Sequence, residues 1–599
     1  MINQLHTADI IVFLLLLLAV PTASILAGLR KKNTEDYFMA GRSLRWWMVA
    51  GSVFGTNINS SHLIGMLGIG YSIGFAQSHY EILAVPAILL LCYVFIPVYR
   101  RLKVFTLSQF LEHRYNAHAR LVYSILMILL ILVQLIAAFY IGSRTLGLLF
   151  HGTNFGIGYG QGIVIIALIT CSYTVFGGLN SVVMADNFQT VMMLIAGIMV
   201  AVLTFVQPEI GGLTGLLNLE KKLPAEAQKM HLYLPTNHPN LPWSGAVTGL
   251  LILQFFYWTT NQYLVQRTLA AESDHEAKLG VIASGFLKLT VPFFSIATGV
   301  AAAYLFQSRF GTQSVLPDDA FLRLVGTVVP SGYGLVGLIL AGLTAATFSS
   351  IDSMMNSVTT LLTMDVYQKY IRPQASEKEM VRFGRLAIVG MVMVSAWLAW
   401  LTYNPNSSDN FFLRVSSQGS YLTPGIVVAF FLGMVWHRAN AVAAVITMLI
   451  TPFFSIGIEN WYAAYVSNAP ALEAVFGLQL NFMHRVFLTL LFCTVLHVSL
   501  SLLLNRKKTV APDFGLSVRP PIAMFRFAAG VLALQLPFIL LFRWQWLPPL
   551  AVATLAALVV LACFIQRMLP LSLSSFFRDD RLYAGLLSAV TIWLLYAFA

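Results

Sequence analysis

Apolar runs of about twenty residues recur along this chain from residue 8 to residue 599, and about twenty residues is what a helix needs to cross a bilayer. In hydrocarbon every backbone N–H and C=O must be satisfied within the chain, which leaves helices for runs of this length. Of the 599 residues 58% are hydrophobic and only 10% charged, against roughly 25% charged in soluble domains. The mean hydropathy is +0.77. A soluble multidomain enzyme is thereby excluded, and the chain is expected to be an all-α integral membrane protein.

The pattern predicts about sixteen spans, near 8–29, 46–70, 79–99, 121–150, 156–178, 185–206, 246–268, 279–306, 331–365, 382–403, 415–436, 440–456, 484–505, 524–542, 546–567 and 582–598. The 36 Lys and Arg outnumber the 24 Asp and Glu, but they sit in short loops, so the excess points to inside-facing loops and not to nucleic acid. Basic residues mark alternate loops, such as Arg30 to Lys32, Arg100 to Lys103, Lys369 to Arg385, Arg438 and Arg506 to Lys508. The loops between them, Asn404 to Asn410 and His151 to Gly156 for example, are poor in Lys and Arg. This places the N-terminus outside and, with an even number of spans, the C-terminus outside as well. The first run lacks a basic flank before it and a small-residue cleavage site, so it reads as a retained helix. The chain ends within its last apolar run, and no soluble signalling module is expected.

Two spans are interrupted. Gly55-Thr56-Asn57-Ile58-Asn59-Ser60-Ser61-His62 breaks the second, and Tyr257-Trp258-Thr259-Thr260-Asn261-Gln262 breaks the seventh. These residue types form helix poorly, and unwound backbone at membrane depth is tolerated only inside protein or along a cavity. Interrupted helices at matching places five segments apart mark an inverted-repeat transporter. The predicted organisation is an N-terminal extra helix and inner loop (1–45), a first repeat (46–206), an outer loop (207–245), a second repeat (246–436) and C-terminal extra helices (437–599).

The ninth span carries a polar stripe, Ser349, Ser350, Asp352 and Ser353. Ser349 shares a helix face with Asp352 and Ser353, and Ser350 with Ser353. Hydroxyls and a carboxylate at this depth are costly unless something occupies them. Hard oxygen ligands in a cluster suit a small hard cation, although membrane serines also bond back to carbonyls one turn earlier. Glu81 and Lys288 likewise stand inside apolar runs.

Six stretches together resemble one family. They are Asp36 to Leu44, Gly55 to Tyr71, Thr106 to Tyr115, Phe176 to Asp186, Gln262 to Ala271 and Ser349 to Tyr367. In this order they resemble the solute:sodium symporters, in particular the sodium/glucose and sodium/galactose cotransporters. The resemblance implies a LeuT-like five-plus-five inverted repeat and sodium-coupled uptake, by alternating access, of a sugar or polyol. It implies a main sodium site made by the carbonyls of Gly55, Ile58 and Ala346 with the hydroxyls of Ser349 and Ser350. A second cation site in some members would fall on Asp186, Ser349, Asp352 and Ser353, where Asp352 departs from the small residue usual there.

By the same resemblance His62, Glu81, Gln134 and Lys288 are sugar contacts. Tyr257, held by Asn57, lies under the sugar and blocks the inner exit. Met66, Tyr80 and Phe412 form the outer gate. The sugar transporters have glutamine where this chain has Ser416, with Gln418 two residues on as a substitute and Arg414 as an unusual neighbour. Polyols, uronates and other hydroxylated solutes therefore stay open as substrates, as does a non-sugar organic solute. Plainer readings also stand: Glu81 with Lys288 as a structural ion pair, His62 as a core histidine, Tyr257 as aromatic packing, Gln134 as an interhelical contact. A solute sensor or uncoupled channel on the same scaffold is the rival class. No HExxH, Walker loop or GxSxG turn is present, so an enzyme is not expected.

Overall fold

Helices stand where the apolar runs lie. The structure, a computed structural model, describes residues 6–28, 33–59, 61–149, 156–311, 315–402, 411–504, 522–568 and 572–599. Arg30 to Lys32, Arg506 to Lys508, Asn404 to Asn410 and most of His151 to Gly156, used above for orientation, fall outside the described residues. In chain order the long elements are α1 (Thr7–Gly28), α2 (Trp46–Asn57), α3 (61–72), α4 (Phe75–Arg101) and α5 (Ala117–Leu149). Next come α6 (Tyr159–Val175), α7 (Gly177–Phe205), α8 (243–260), α9 (Gln262–Leu269), α10 (Asp274–Phe310) and α11 (Leu335–Ile371). The chain continues through α12 (Glu377–Leu401), α13 (Phe412–Gly419), α14 (Thr423–Val435), α15 (Ala441–Tyr465) and α16 (Phe482–Leu504). It closes with α17 (Met524–Arg543), α18 (Pro549–Gln566) and α19 (Asp580–Ala597).

Among the described residues ten helices are long and apolar enough to cross a membrane, or eleven when the bent pair α13 and α14 is taken as one span. The expectation of about sixteen spans thus meets ten or eleven on length and composition. The other runs are helical but short or interrupted: α1 and α6 have apolar stretches of under 18 residues, α2–α3 and α8–α9 are broken, and α19 opens on Asp580 and Arg581. The fifth and sixth runs, expected as separate segments, meet without a loop. They turn at Gly178 alone, which has φ +60°, and a Cβ there would lie 2.5 Å from the carbonyl oxygen of Tyr37. Only glycine fits that turn.

Each interruption opens on an extended residue. α2 ends at Asn57 and Ile58 is extended, at φ −93° and ψ 111°. α8 ends at Thr260 and Asn261 is extended, at φ −92° and ψ 120°, its side chain accepting from the backbone N–H of Tyr263. The extended residue after each helix end leaves carbonyls of the preceding turn without the N–H groups that would have followed. α11 passes through the middle of the bundle, packed against α1, α2, α5 and α7.

Candidate functional site

α2 and α11 come together at the polar stripe. Gly55 makes this approach feasible, since a Cβ there would lie 2.4 Å from Oγ1 of Thr190 and 3.2 Å from Oγ of Ser349. Ser349 does not bond back along its own helix. Its hydroxyl donates to Oδ1 of Asp186 on α7 at 2.5 Å. Ser350 donates to the carbonyl of Ala346 one turn earlier, at a long 3.4 Å. The hydroxyl of Ser349 thus stands beside Gly55 in the last turn of α2, and Ser350 shares a cavity wall with Thr56 and Asn57.

Behind this pair lies a buried charge cluster. Asp186 accepts from Ser52 at 2.5 Å and more distantly from Ser353, at 3.4 and 3.5 Å. The fully buried guanidinium of Arg267 on α9 stands 3.7 Å from the same carboxylate. It also donates to Ser353, to the carbonyl of Tyr263 and, at 3.3 Å, to Ser52. Ser353 meets Oγ1 of Thr56 at 2.9 Å, which ties α11 to α2 again. Asp352 accepts from the hydroxyl of Tyr173 on α6 at 2.7 Å, while its Oδ1 has no donor among the described residues. Asp186, Ser349 and Ser353 thus form one cluster, and Asp352 points to its α6 side. Sequence reasoning missed Arg267, Ser52 and Tyr173. An arginine within the short helix that follows an interrupted span was the available signal.

Next to the serines a cavity of about 190 Å³ opens between the two broken helices, α4, α5, α10 and α13. His62, Glu81, Gln134, Tyr257, Lys288 and Ser416 line it, together with Asn57, Met66, Tyr80 and Phe412. Ser350 is part of the same wall, whereas Gly55, Ile58, Ala346 and Ser349 lie behind it. Gln418 and Arg414 are exposed and are not part of the wall, so Gln418 does not stand in for the glutamine missing at Ser416. Thr56 and Asn59 of the first break and Tyr263 also line the cavity, as does Gln254, which the sequence reading did not single out.

Lys288 stands 2.7 Å from Glu81 and donates to Oδ1 of Asn57 at 2.7 Å. Both charged side chains are almost wholly buried, at 3% and 0% exposure. The ion pair considered as a plain alternative is therefore present, and it forms part of the cavity wall. The hydroxyl of Tyr257 lies beside the side chains of Asn57 and Tyr263, and the Tyr257 and Tyr263 rings meet edge to face at 5.8 Å. Nδ1 of His62 is bonded to Oδ1 of Asn59 at 3.0 Å. The ring of Phe412 is held edge-on between His62, at 5.2 Å, and Tyr80, at 5.1 Å. Phe412 and Met66 are buried here, at 9% and 0% exposure.

Comparison with known proteins supplies the family. The profile described as the Sodium:solute symporter family matches residues 37–451, more than half of the chain. The chain belongs to the sodium:solute symporter family. It is 32% identical over 482 residues to a sodium/glucose cotransporter of Vibrio parahaemolyticus, spanning 78% of this chain and 84% of that one. It is 30% identical over 537 residues to sodium/glucose cotransporter 1 of Oryctolagus cuniculus, with 83% and 79% of the two chains covered. A sodium/myo-inositol cotransporter 2 of Mus musculus is 31% identical over 466 residues. Among solved structures, the substrate-bound outward-open state of a Na+-coupled sialic acid symporter superposes with a TM-score of 0.70, over 84% of this chain and 98% of that one. At 22% identity that likeness establishes the fold, the LeuT-like inverted repeat. As a member of this family the chain is a multi-pass membrane symporter coupled to sodium and not an enzyme.

Proposed function

We propose that this symporter takes up a sugar or related polyhydroxylated solute in the cavity lined by Glu81, Lys288, Gln134 and His62, driven by sodium bound by Ser349, Ser350 and the carbonyls of Gly55, Ile58 and Ala346. One observation carries the reading: Ser350, a hydroxyl of the sodium site proposed here, also lines the solute cavity. Carboxylate, ammonium, amide and imidazole groups supply the donors and acceptors that hydroxylated solutes need. Several of the relatives named above are cotransporters of glucose or myo-inositol. The division into halves at 46–206 and 246–436, and an N-terminus outside, belong to the same reading.

In this cycle sodium enters first and holds the end of α2 against α11, which favours the outward-open form. Solute binding draws Phe412, Tyr80 and Met66 over the cavity, as the aromatic packing here supports. Inward release of sodium frees α2, and Tyr257 then moves from beneath the solute. Each sodium moved across the membrane contributes about 2.3 kcal/mol per 100 mV. Sodium and solute favour the same state, so each tightens the other. Uptake into proteoliposomes of a panel of radiolabelled hexoses, inositols, uronates and amino acids, with and without a sodium gradient, tests this. Concentrative, sodium-dependent accumulation of a hydroxylated solute is expected. Proline uptake without sugar uptake overturns the sugar assignment, and solute binding without accumulation favours a sensor or channel.

A second cation site on Asp186, Ser349, Asp352 and Ser353 is part of the proposal. Two carboxylates are buried in this region, Asp186 beside the Arg267 guanidinium and Asp352 beside Tyr173, and an unbalanced buried charge is costly. A second sodium restores the balance. A coupling ratio of two sodium ions per solute, falling to one in Asp352→Ala, is expected. A ratio of one in the unaltered protein removes this site.

A further inference from the structure

The cavity wall has an anchor outside the family-matched region. Arg485 on α16 lies beyond residues 37–451 and is 1% exposed. One guanidinium nitrogen donates to the carbonyl of Ser417 at 3.1 Å and to the hydroxyl of Ser420 at 2.7 Å. The other meets the carboxylate of Glu459 on α15 at 2.5 Å. The guanidinium carbon stands 3.6 Å from the centre of the Tyr421 ring, and the Tyr421 hydroxyl donates to the same Glu459 carboxylate.

These attachments fall on one place. Ser420 and Tyr421 are two of the three residues in the break between α13 and α14, where the chain bends by 54°, and Ser417 lies in the last turn of α13. Ser420 also lines the solute cavity, as do Val415 and Ser416 in the body of α13 and Phe412 at its start. The last carbonyls of a helix lack partners and attract a cation. A planar guanidinium can hold a carbonyl, a hydroxyl, a carboxylate and an aromatic face at once. No change in the bend leaves all of these contacts intact, because they grip three residues at or beside the hinge from two helices outside it. A buried arginine in a membrane bundle carries a desolvation cost that plain helix packing does not require.

We infer that Arg485, held by Glu459 and Tyr421, is a positioning residue for the outer gate. It fixes the bend at which α13 holds Phe412 over the cavity, and so sets how readily the cavity opens outward. The inference rests on the reading of Phe412 as the outer gate. It gives the C-terminal helices α15 and α16 a part in transport.

The test uses the full chain in proteoliposomes with Val415→Cys as a reporter, labelled from outside by an impermeant thiosulfonate. The chain without the reporter supplies the background from Cys92, Cys171, Cys493 and Cys563. With sodium absent, Arg485→Gln is expected to raise the labelling rate at least fivefold. The sodium concentration that half-saturates the labelling response should fall by a similar factor, because the sodium-binding form is already populated. Arg485→Lys, which keeps the charge without the fork, should recover part of both effects. Tyr421→Leu is read in the same way should Arg485→Gln not fold. Labelling and half-saturation within twofold of the reporter alone overturn the inference. So does weaker sodium binding or a lowered melting temperature with unchanged labelling, which a merely structural arginine would give. Failure of the gate reading looks different: sodium then leaves labelling unchanged in the Val415→Cys chain itself.

Discussion

α11 and α17 are both long enough to cross a membrane, yet the protein uses them in opposite ways. In α11, which carries four polar residues in five positions at its centre, 89% of the most apolar stretch is buried. In α17 the figure is 6%. The more polar helix is the more buried one. In water the hydrophobic effect would sort them the other way. In lipid, apolar side chains gain nothing by hiding, while hydroxyls and carboxylates must be kept from hydrocarbon. Burial in this molecule therefore tracks chemistry, and the most enclosed of the candidate spans is the one proposed to hold the ion.

Four experiments can break or sharpen that contrast. The largest effect is expected from Ser349→Ala combined with Ser350→Ala. Contacts to a charged partner are worth about 1.5–3 kcal/mol each, so sodium affinity should fall by roughly 100-fold or more. Accumulation that still depends on external sodium as before would remove α11 from the ion site. Lys288→Ala should follow, because leaving Glu81 charged and unpaired costs about 3–5 kcal/mol. Its melting temperature in detergent should drop, and pairing Lys288→Met with Glu81→Gln should restore it while solute uptake stays lost. Recovered uptake in the double variant would make the pair structural only.

Gly55→Ala should weaken sodium binding by about tenfold. Its new methyl meets Thr190 and the carbonyl of Asp186, at 2.4 and 3.1 Å, and overpacking of this kind costs about 1–3 kcal/mol. Sodium titration of solute uptake reads the change. The smallest effect belongs to α17, where Leu532 is 67% exposed. Leu532→Ala should leave uptake unaltered and stability within about 0.5 kcal/mol. A large loss there would mean that α17 is covered by something other than lipid.

The helical class and both interruptions were legible because hydropathy and helix-poor residues act locally. Asn57 and Asn261 mark the two ends in the sequence as they do in the structure. The join at Gly178 was not legible. Residues 179–184 look like a weak spot between two runs, and only the approach of Tyr37 from a distant segment shows why one glycine suffices. The sixteen expected runs and the ten or eleven helices that are long and apolar enough among the described residues differ for a related reason, since a periodic apolar run does not reveal whether the helix it forms is continuous. At the site, the solute and gate side chains carried over by position gather around one cavity, except Gln418. What the sequence hid was Arg267 and its hold on Asp186, for no spacing rule relates α9 to α7. The grip of Arg485 on the hinge was hidden in the same way.

The hydrogen bond from Ser349 to Asp186 has a consequence for how an incoming ion is met. A hydroxyl free to rotate must be turned before its lone pairs face a positive charge, and that turning subtracts from affinity. Here the hydroxyl hydrogen already points at the Asp186 carboxylate, so the serine oxygen turns its lone pairs the other way before anything arrives. Folding has thus settled in advance an orientation that the ion would otherwise have to impose. A change of Asp186 to a side chain that donates would set this dipole the wrong way round without touching the serine itself.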